Sequence, residues 1–165
     1  MRMIDPILME LEQEAGATRR LLERVPEEKM SWKPAPKSMT LGQLALHLAT
    51  TPGGVAQMAT VDVFERPSFE QPEAKSRQEL LDAFDGGLQQ AKSILNEMDD
   101  ARLMSTWTFQ RDGKPVMQVP RIGILRMIML NHSYHHRGQL TVYLRELGVP
   151  LPSVYGPTAD ENPFA

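Results

Sequence analysis

The sequence predicts an all-α fold, a four-helix bundle with one long crossover connection and a short β-hairpin before the last helix. Three observations support this prediction. Apolar residues recur at steps of three and four over four long stretches, the period of one helix face. Two of these stretches open with capping boxes. Proline and glycine residues mark helix ends elsewhere. We expect a single domain over residues 1–165, because a chain of this length is typical of one domain.

The first helix is predicted to begin with Asp5 as its N-cap and to end before Pro26. Pro6 then stands at the first helical position, where its missing N–H group costs nothing. Its apolar face is formed at three- and four-residue steps by Ile4, Ile7, Leu8, Leu11, Ala15, Thr18, Leu22 and Val25. This pattern is typical of an amphipathic helix that packs one face on the core.

The second helix is predicted to begin at a capping box formed by Thr40 and Gln43. His47 lies two turns into it, on an apolar face with Leu44 and Leu48. Residues 51–54, Thr-Pro-Gly-Gly, follow one turn later. Because proline removes a helical hydrogen bond, we expect this stretch to kink or break the helix before residues 55–64 resume it.

The third helix follows a polar, proline-containing connection over residues 65–75. Ser76 and Glu79 form the second predicted capping box. Gly86 and Gly87 weaken the helix interior but permit another helix to approach closely. The stretch therefore predicts a helix that packs tightly on a neighbour.

Residues 105–119 predict a β-hairpin. Trp107 and Phe109 alternate with polar residues, and residues 111–114 supply a turn. Pro115 restricts the second arm to an edge position. Since two strands alone are marginally stable, the hairpin must pack on the helices. The last helix then begins near Pro120 and ends at Gly148, a typical left-handed cap.

The last helix is apolar on more than one side. Met127, Leu130 and Tyr134 are predicted to lie opposite the face that carries His132 and His136. A helix that is apolar nearly all round is buried on both sides. We therefore expect a homodimer through this region; the alternative is that the hairpin or the C-terminal tail covers the second side.

Composition excludes several classes of function. The net charge of −3 argues against an electrostatic nucleic-acid binder, which normally shows a basic face. The chain has no cysteine, so disulfides, thiolate ligands and a cysteine nucleophile are excluded. No apolar run approaches the roughly 20 residues that span a bilayer, and acidic residues interrupt any N-terminal signal pattern. We expect a cytoplasmic protein that binds neither nucleic acid nor membrane.

Three of the four histidines lie within residues 131–140. On a helix, His132 and His136 are about 40° apart and roughly 6 Å apart along the axis, so both can reach one ion. His135 points about 60° away from His132 and is poorly placed to join them. Gln139 lies on the same face, close to the pair. With His47 from another helix, three imidazoles could converge in one core.

Convergence of these histidines predicts a divalent metal site. Three neutral nitrogens plus an open position are typical of catalytic zinc sites. Zinc and nickel both suit imidazole, and ligand type does not choose between them. The alternative is three hydrogen-bonded core histidines without a metal. A metalloprotease is not indicated, because Ser133 stands where that motif has its glutamate.

Three stretches together resemble the DinB/YfiT-like family: residues 40–48, residues 131–140 and residues 149–157. The resemblance spans nearly the whole chain. It implies a metal-binding four-helix bundle, commonly dimeric, with His47, His132 and His136 as the metal ligands. Arg137 also matches the family pattern, but it projects about 100° from His136, so we expect a structural or interface role.

The resemblance defines the activity of the protein less closely than it defines the fold. Some relatives are thiol transferases or isomerases in which the metal activates a low-molecular-weight thiol. The resemblance thus implies a metal-dependent thiol S-transferase or a related enzyme. The alternative is a metal-binding stress-response protein without turnover. No catalytic residue is assigned from the sequence.

Overall fold

Four long helices form the frame of the protein. The computed structural model describes residues 1–65 and 71–165. The main helices are α1 (Asp5–Leu22), α2 (Leu41–Met58), α3 (Arg77–Asn96) and a last helix built from three segments. A three-stranded sheet, a short helix, α4 (Asp100–Met104), and a 3-10 turn (Glu27–Lys29) complete the described part. This architecture confirms the predicted bundle with a hairpin before the last helix.

The first helix begins at Asp5, but Asp5 is not its N-cap. Ile4 holds that position without a side-chain hydrogen bond. The Asp5 carboxylate instead accepts hydrogen bonds from the backbone N–H and Nε of Arg2, at 2.8 and 3.0 Å. The cap prediction was wrong because the chain already turns before Asp5, whose own N–H donates to the Arg2 carbonyl.

The second helix has the predicted capping box. The Thr40 side chain accepts from the Gln43 backbone N–H, and Gln43 Oε1 accepts from the Thr40 N–H at 2.9 Å. A kink or a break was expected at residues 51–54; the break is wrong, because α2 continues through Pro52 to Met58. A proline leaves a carbonyl one turn earlier without its usual donor. The Thr51 hydroxyl donates to the neighbouring His47 carbonyl at 2.6 Å, which supplies one hydrogen bond in the disturbed turn.

Close approach of α2 and α3 occurs at two glycines. A Cβ atom added to Gly53 would lie 2.8 Å from the Gly87 Cα, a distance that real side chains do not tolerate. Ser76 caps α3 as predicted, since its side chain accepts from the Glu79 N–H. The reciprocal bond of the capping box differs, because Glu79 Oε2 accepts from the backbone N–H of Lys75. The glycine prediction is confirmed, and the connection predicted over residues 65–75 lies partly outside the described residues.

The sheet contains the predicted hairpin and one further strand. β2 (Thr106–Arg111) pairs antiparallel with β3 (Lys114–Pro120), and β1 (Val63–Glu65) pairs parallel with β2. The register sets Phe64 beside Phe109 and Phe109 beside Met117. Helix was predicted through residue 64, but α2 ends at Met58 and the chain becomes a strand. The pairing of β1 with β2 adds a third strand to the hairpin, which stabilises it, because two strands alone are marginally stable.

The last helix contains a π-helical stretch. It runs as α5 (Arg121–Ile124), a π segment (Leu125–His132) and α6 (Ser133–Glu146), and Gly148 adopts the predicted positive φ of 70°. A π-helix has more residues per turn than an α-helix, so each residue advances by less than 100°. Leu130, predicted to lie opposite the histidine pair on a helix buried on both sides, is buried at 1% exposure.

Residues of α1 contact the side of the last helix that lies opposite the histidine pair. The Tyr134 hydroxyl donates to Glu10 of α1 at 2.7 Å, and Leu130 packs in an apolar cluster with α1 residues. Met127 stays 47% exposed. Thus α1 covers part of this side, and the homodimer stays a prediction. Across the described residues, no helix is long and apolar enough to cross a bilayer.

Candidate metal centre

Three histidines from two helices meet at one point. His132 Nε2 lies 3.0 Å from Nε2 of His47 and 3.0 Å from Nε2 of His136. One ring nitrogen of each lies within 4.8 Å of the other two. The rings cross at 84° to 89°, so each directs an edge towards the common point. The predicted convergence of these side chains is confirmed.

The segments of the last helix explain how the pair is placed. His132 is the last residue of the π segment, and His136 lies in the first turn of α6. From His132 onwards the backbone is α-helical, so the four-residue spacing brings both rings to one face. His47 projects from α2, which packs against both the π segment and α6. The site therefore depends on the contact between α2 and the last helix.

Gln139 fixes the orientation of His136. Its Oε1 lies 2.7 Å from His136 Nδ1, so that Nδ1–H donates to the amide oxygen. A neutral imidazole carries one N–H, so Nε2 of His136 must present its lone pair to the cluster. Gln139 thus lies close to the histidine pair, as its position on the same helix face predicted. Metal-bound histidines typically donate their second ring nitrogen in this way.

Burial keeps the three rings neutral. It lowers the pKa of His136 to about 4, and the neighbouring histidines lower it further while the hydrogen bond to Gln139 acts in the opposite direction. Burial also lowers the pKa of His47 and that of His132. Since a ligating histidine must be unprotonated, neutral rings at pH 7 are ready to donate lone pairs.

Two neighbouring residues lie outside the cluster. His135 is exposed, and its ring centroid is 6.3 Å from that of His132. Arg137 turns away and is 2% exposed, with its guanidinium paired to Glu14 of α1. It also donates to the Tyr155 hydroxyl in the tail. Both placements agree with the sequence analysis, which expected no ligand role for His135 and a structural or interface role for Arg137.

The donor set fits a divalent cation. Two nitrogens bound to one tetrahedral zinc at 2.0–2.1 Å are about 3.3 Å apart. The two separations of 3.0 Å, from His132 to His47 and to His136, differ from this value by only a few tenths of an ångström. Within residues 1–65 and 71–165, no other His, Asp or Glu joins the group. Three nitrogens without a fourth ligand from the described residues resemble a catalytic zinc site more than a closed structural one.

A cavity of about 480 Å³ opens beside the three nitrogens. Helix α2, the sheet and the last helix all contribute to its wall. The residues that line it are Met39, His47, Thr50, Thr51, Gly54, Val55, Met58, Phe64, Gln71, Trp107, Phe109, Met117, Ile128, His132 and His136. Its volume is in the range of small-molecule sites.

Sequence reasoning did not find the aromatic wall of this cavity. Alternation along β2 indicated that Trp107 and Phe109 share a face, but the parallel partner β1 was predicted as helix. Phe64 reaches the wall only because that strand pairs with β2, and its ring stacks 6.2 Å from the ring of Trp107. The sequence signal for this wall is the two-residue alternation along β2. It shows which residues share a face of the strand, but not which other residues pack against that face.

Comparisons with known proteins agree with this architecture. YrdA of Bacillus subtilis (strain 168) is 29% identical over 162 residues, which cover 96% of this chain and 91% of YrdA. The crystal structure of a DinB-like protein from Bacillus cereus ATCC 10987 has a TM-score of 0.73 at 27% identity and covers 92% of this chain and 97% of its own.

A second solved structure shows the same fold at lower identity. It is a DinB-like protein, YjoA, from Bacillus subtilis, with a TM-score of 0.69 at 22% identity, covering 91% of this chain and 97% of its own. The model of the DinB family matches residues 3–162, nearly the full chain. With its bundle and its three-histidine cluster, the chain belongs to the DinB family.

Proposed function

We propose that the protein holds a divalent cation, zinc or nickel, through Nε2 of His47, His132 and His136, and that it is a metal-dependent thiol S-transferase or a related enzyme. The observation that carries the proposal is the meeting of three neutral nitrogens at the wall of a cavity. A divalent cation bound there supplies Lewis acidity, which favours the deprotonated form of a coordinated thiol or water.

The side chains around the site would have different roles according to their positions. The three histidines hold the cation from one side, and Gln139 fixes the tautomer and the ring orientation of His136 through its 2.7 Å contact. The remaining side of the cluster faces the cavity, where a substrate has access. The apolar wall restricts water, which strengthens electrostatic interactions at the reacting atoms.

The cavity favours turnover over a role in metal storage or in stability alone. A purely structural site is normally closed by four protein ligands. Here the described residues supply three, and an apolar space of substrate size adjoins them. This combination supports the enzyme over the metal-binding stress-response protein without turnover.

A thiol-consumption assay tests the activity. Protein loaded with zinc or nickel is mixed with bacillithiol, glutathione or cysteine, and with monobromobimane as a general electrophile; a wider panel of electrophiles follows. We expect metal-dependent turnover in the wild type and in His135→Ala, whose histidine lies outside the cluster. We expect loss of turnover in His132→Ala. Absence of metal-dependent turnover with every thiol and electrophile would count against the enzyme.

A further inference from the structure

The described part of the cavity wall consists of uncharged side chains and the three histidines. Among the described residues, no Lys, Arg, Asp or Glu side chain lines it. Away from the three histidines, a carboxylate or an ammonium group bound there would lose hydration without gaining a charged partner among the described residues, which is costly. An uncharged ligand is therefore favoured.

Most polar groups at the wall already have partners within the protein. The Thr51 hydroxyl donates to the His47 carbonyl at 2.6 Å, and the Thr50 hydroxyl donates to the Leu46 carbonyl at 2.9 Å. The indole N–H of Trp107 donates to the Met58 carbonyl at 3.0 Å. These donors are therefore engaged before a ligand enters, and the histidine nitrogens are the main polar feature that a ligand meets.

The sheet gives the cavity an aromatic side. Period-two alternation sets Trp107 and Phe109 on one face of β2, and the register brings Phe64 and Met117 beside Phe109. The ring of Phe64 lies 6.2 Å from that of Trp107 and 6.3 Å from that of Phe109. Aromatic rings and a thioether are favourable neighbours for another ring.

We propose that the cavity binds a neutral substrate with an aromatic or similarly compact apolar body and one heteroatom directed at the three histidines. The body packs against Phe64, Trp107, Phe109 and Met117, and the heteroatom reaches the metal position. This inference deepens the proposed function and rests on it for the role of the heteroatom. The recognition of the apolar body stands on the cavity alone.

Gly54 offers a way to fill the cavity without disturbing the fold. Gly54 lines the cavity and lies seven residues after His47, on the same face of α2. A Cβ atom added to Gly54 would meet no other atom within 4 Å. A leucine there would occupy space that the ligand needs. Gly86 is the matched control: it lies in α3, is exposed, has equally open surroundings and does not line the cavity.

Isothermal titration calorimetry of the zinc-loaded protein with three thiols tests the proposal. We expect benzyl mercaptan to bind about tenfold tighter or more than ethanethiol, because its ring is buried. Para-carboxybenzyl mercaptan, which adds a charge to the same ring, should bind more weakly than benzyl mercaptan. Gly54→Leu should remove the advantage of the ring while its zinc content stays unchanged, and Gly86→Leu should behave as the wild type.

Chelator-stripped protein separates this inference from the metal assignment. Benzyl alcohol should shift the NMR signals of the Met58 and Met117 methyl groups in the wild type and in Gly86→Leu, but not in Gly54→Leu. If the protein binds no zinc and these shifts still occur, the proposed function fails and the cavity assignment stands. If zinc binds but no shifts occur and ethanethiol binds as tightly as benzyl mercaptan, the cavity assignment is overturned.

Discussion

The hydrogen bond between Gln139 and His136 decides which nitrogen of His136 faces the cluster. Because Nδ1–H donates to the amide oxygen, Nε2 is left with its lone pair. Without this acceptor, the proton could move to Nε2 and the ring could rotate. A single side chain outside the three histidines thus contributes to the ability of the site to bind a cation.

Substitution of Gln139 tests this contribution. Gln139→Leu should weaken zinc affinity by about 10- to 100-fold, the usual effect of removing a hydrogen-bond partner of a ligating histidine. Gln139→Glu keeps an acceptor for Nδ1–H and should retain wild-type affinity or exceed it. Competition titration with a chromophoric zinc chelator measures both. Equal affinity for the Leu variant and the wild type would show that Gln139 has no orienting role.

At the scale of elements, the contact of α2 with α3 depends on the paired glycines. At Gly53 the backbone of Gly87 is so close that a side chain is excluded, whereas a Cβ atom added to Gly87 would make ordinary contacts at 3.6–3.8 Å. A Cβ atom added to the neighbouring Gly86 would meet no other atom within 4 Å, so a side chain fits there. Because His47 lies on α2, the same packing helps hold one of the three imidazoles in place.

Alanine substitutions distinguish the two kinds of glycine. Gly53→Ala should destabilise the protein by about 1–3 kcal/mol, since its Cβ would meet the Gly87 backbone and force the helices apart. Gly86→Ala should stabilise it by about 0.5–1 kcal/mol, through helix propensity alone. Urea denaturation followed by circular dichroism measures both. A Gly53→Ala variant as stable as Gly86→Ala would contradict the close-packing account.

The elements differ in how far the sequence predicts them. The capping box of Thr40 and Gln43 and the Gly148 cap follow from local chemistry and were predicted correctly. The parallel strand β1 depends on a partner more than 40 residues away, as its pairing of Val63 with Thr108 shows. The π segment likewise lacks a local signal, because its residues fit an α-helical pattern equally well.

The candidate site was more predictable than its cavity. Spacing alone placed His132 and His136 together and excluded His135, because four-residue and three-residue steps point in different directions on a helix. The approach of His47 needed the packing of α2 on the last helix, which the resemblance supplied. The aromatic wall required the sheet register, which no short-range pattern contains.

At the scale of the whole molecule, Arg137 links three parts of the chain. Its buried guanidinium pairs with Glu14 of α1 and donates to Thr18 and to the Tyr155 hydroxyl in the tail. The tail is also held by Arg20, which donates to the Ser153 carbonyl at 2.6 Å. These contacts hold the C-terminal segment against α1 and α6. This segment lies outside the bundle helices.

Removal of this link should lower global stability. Arg137→Ala leaves the Glu14 carboxylate in a largely buried place without its partner, so we expect a loss of about 3–5 kcal/mol in the free energy of unfolding. Arg145→Ala, which breaks an exposed pair with Asp160, should cost about 1 kcal/mol or less. Both variants are compared by chemical denaturation. Equal losses would contradict the account of Arg137.

Assembly is a further property of the whole molecule. We continue to predict a homodimer, with exposed Met127 of the last helix in the interface, although α1 covers Leu130 and Tyr134 within the chain. Light scattering at micromolar concentration should give twice the chain mass of 18.6 kDa. A clean monomer mass would refute the dimer and leave the metal proposal untouched.

Elemental analysis of protein purified without chelator tests the central claim most directly. We expect about one zinc or nickel ion per chain in the wild type and in His135→Ala, and loss of that ion in His47→Ala, His132→Ala and His136→Ala. Circular dichroism confirms that each variant is folded. A wild-type protein without metal, or an unchanged metal content in the three cluster variants, would contradict the account.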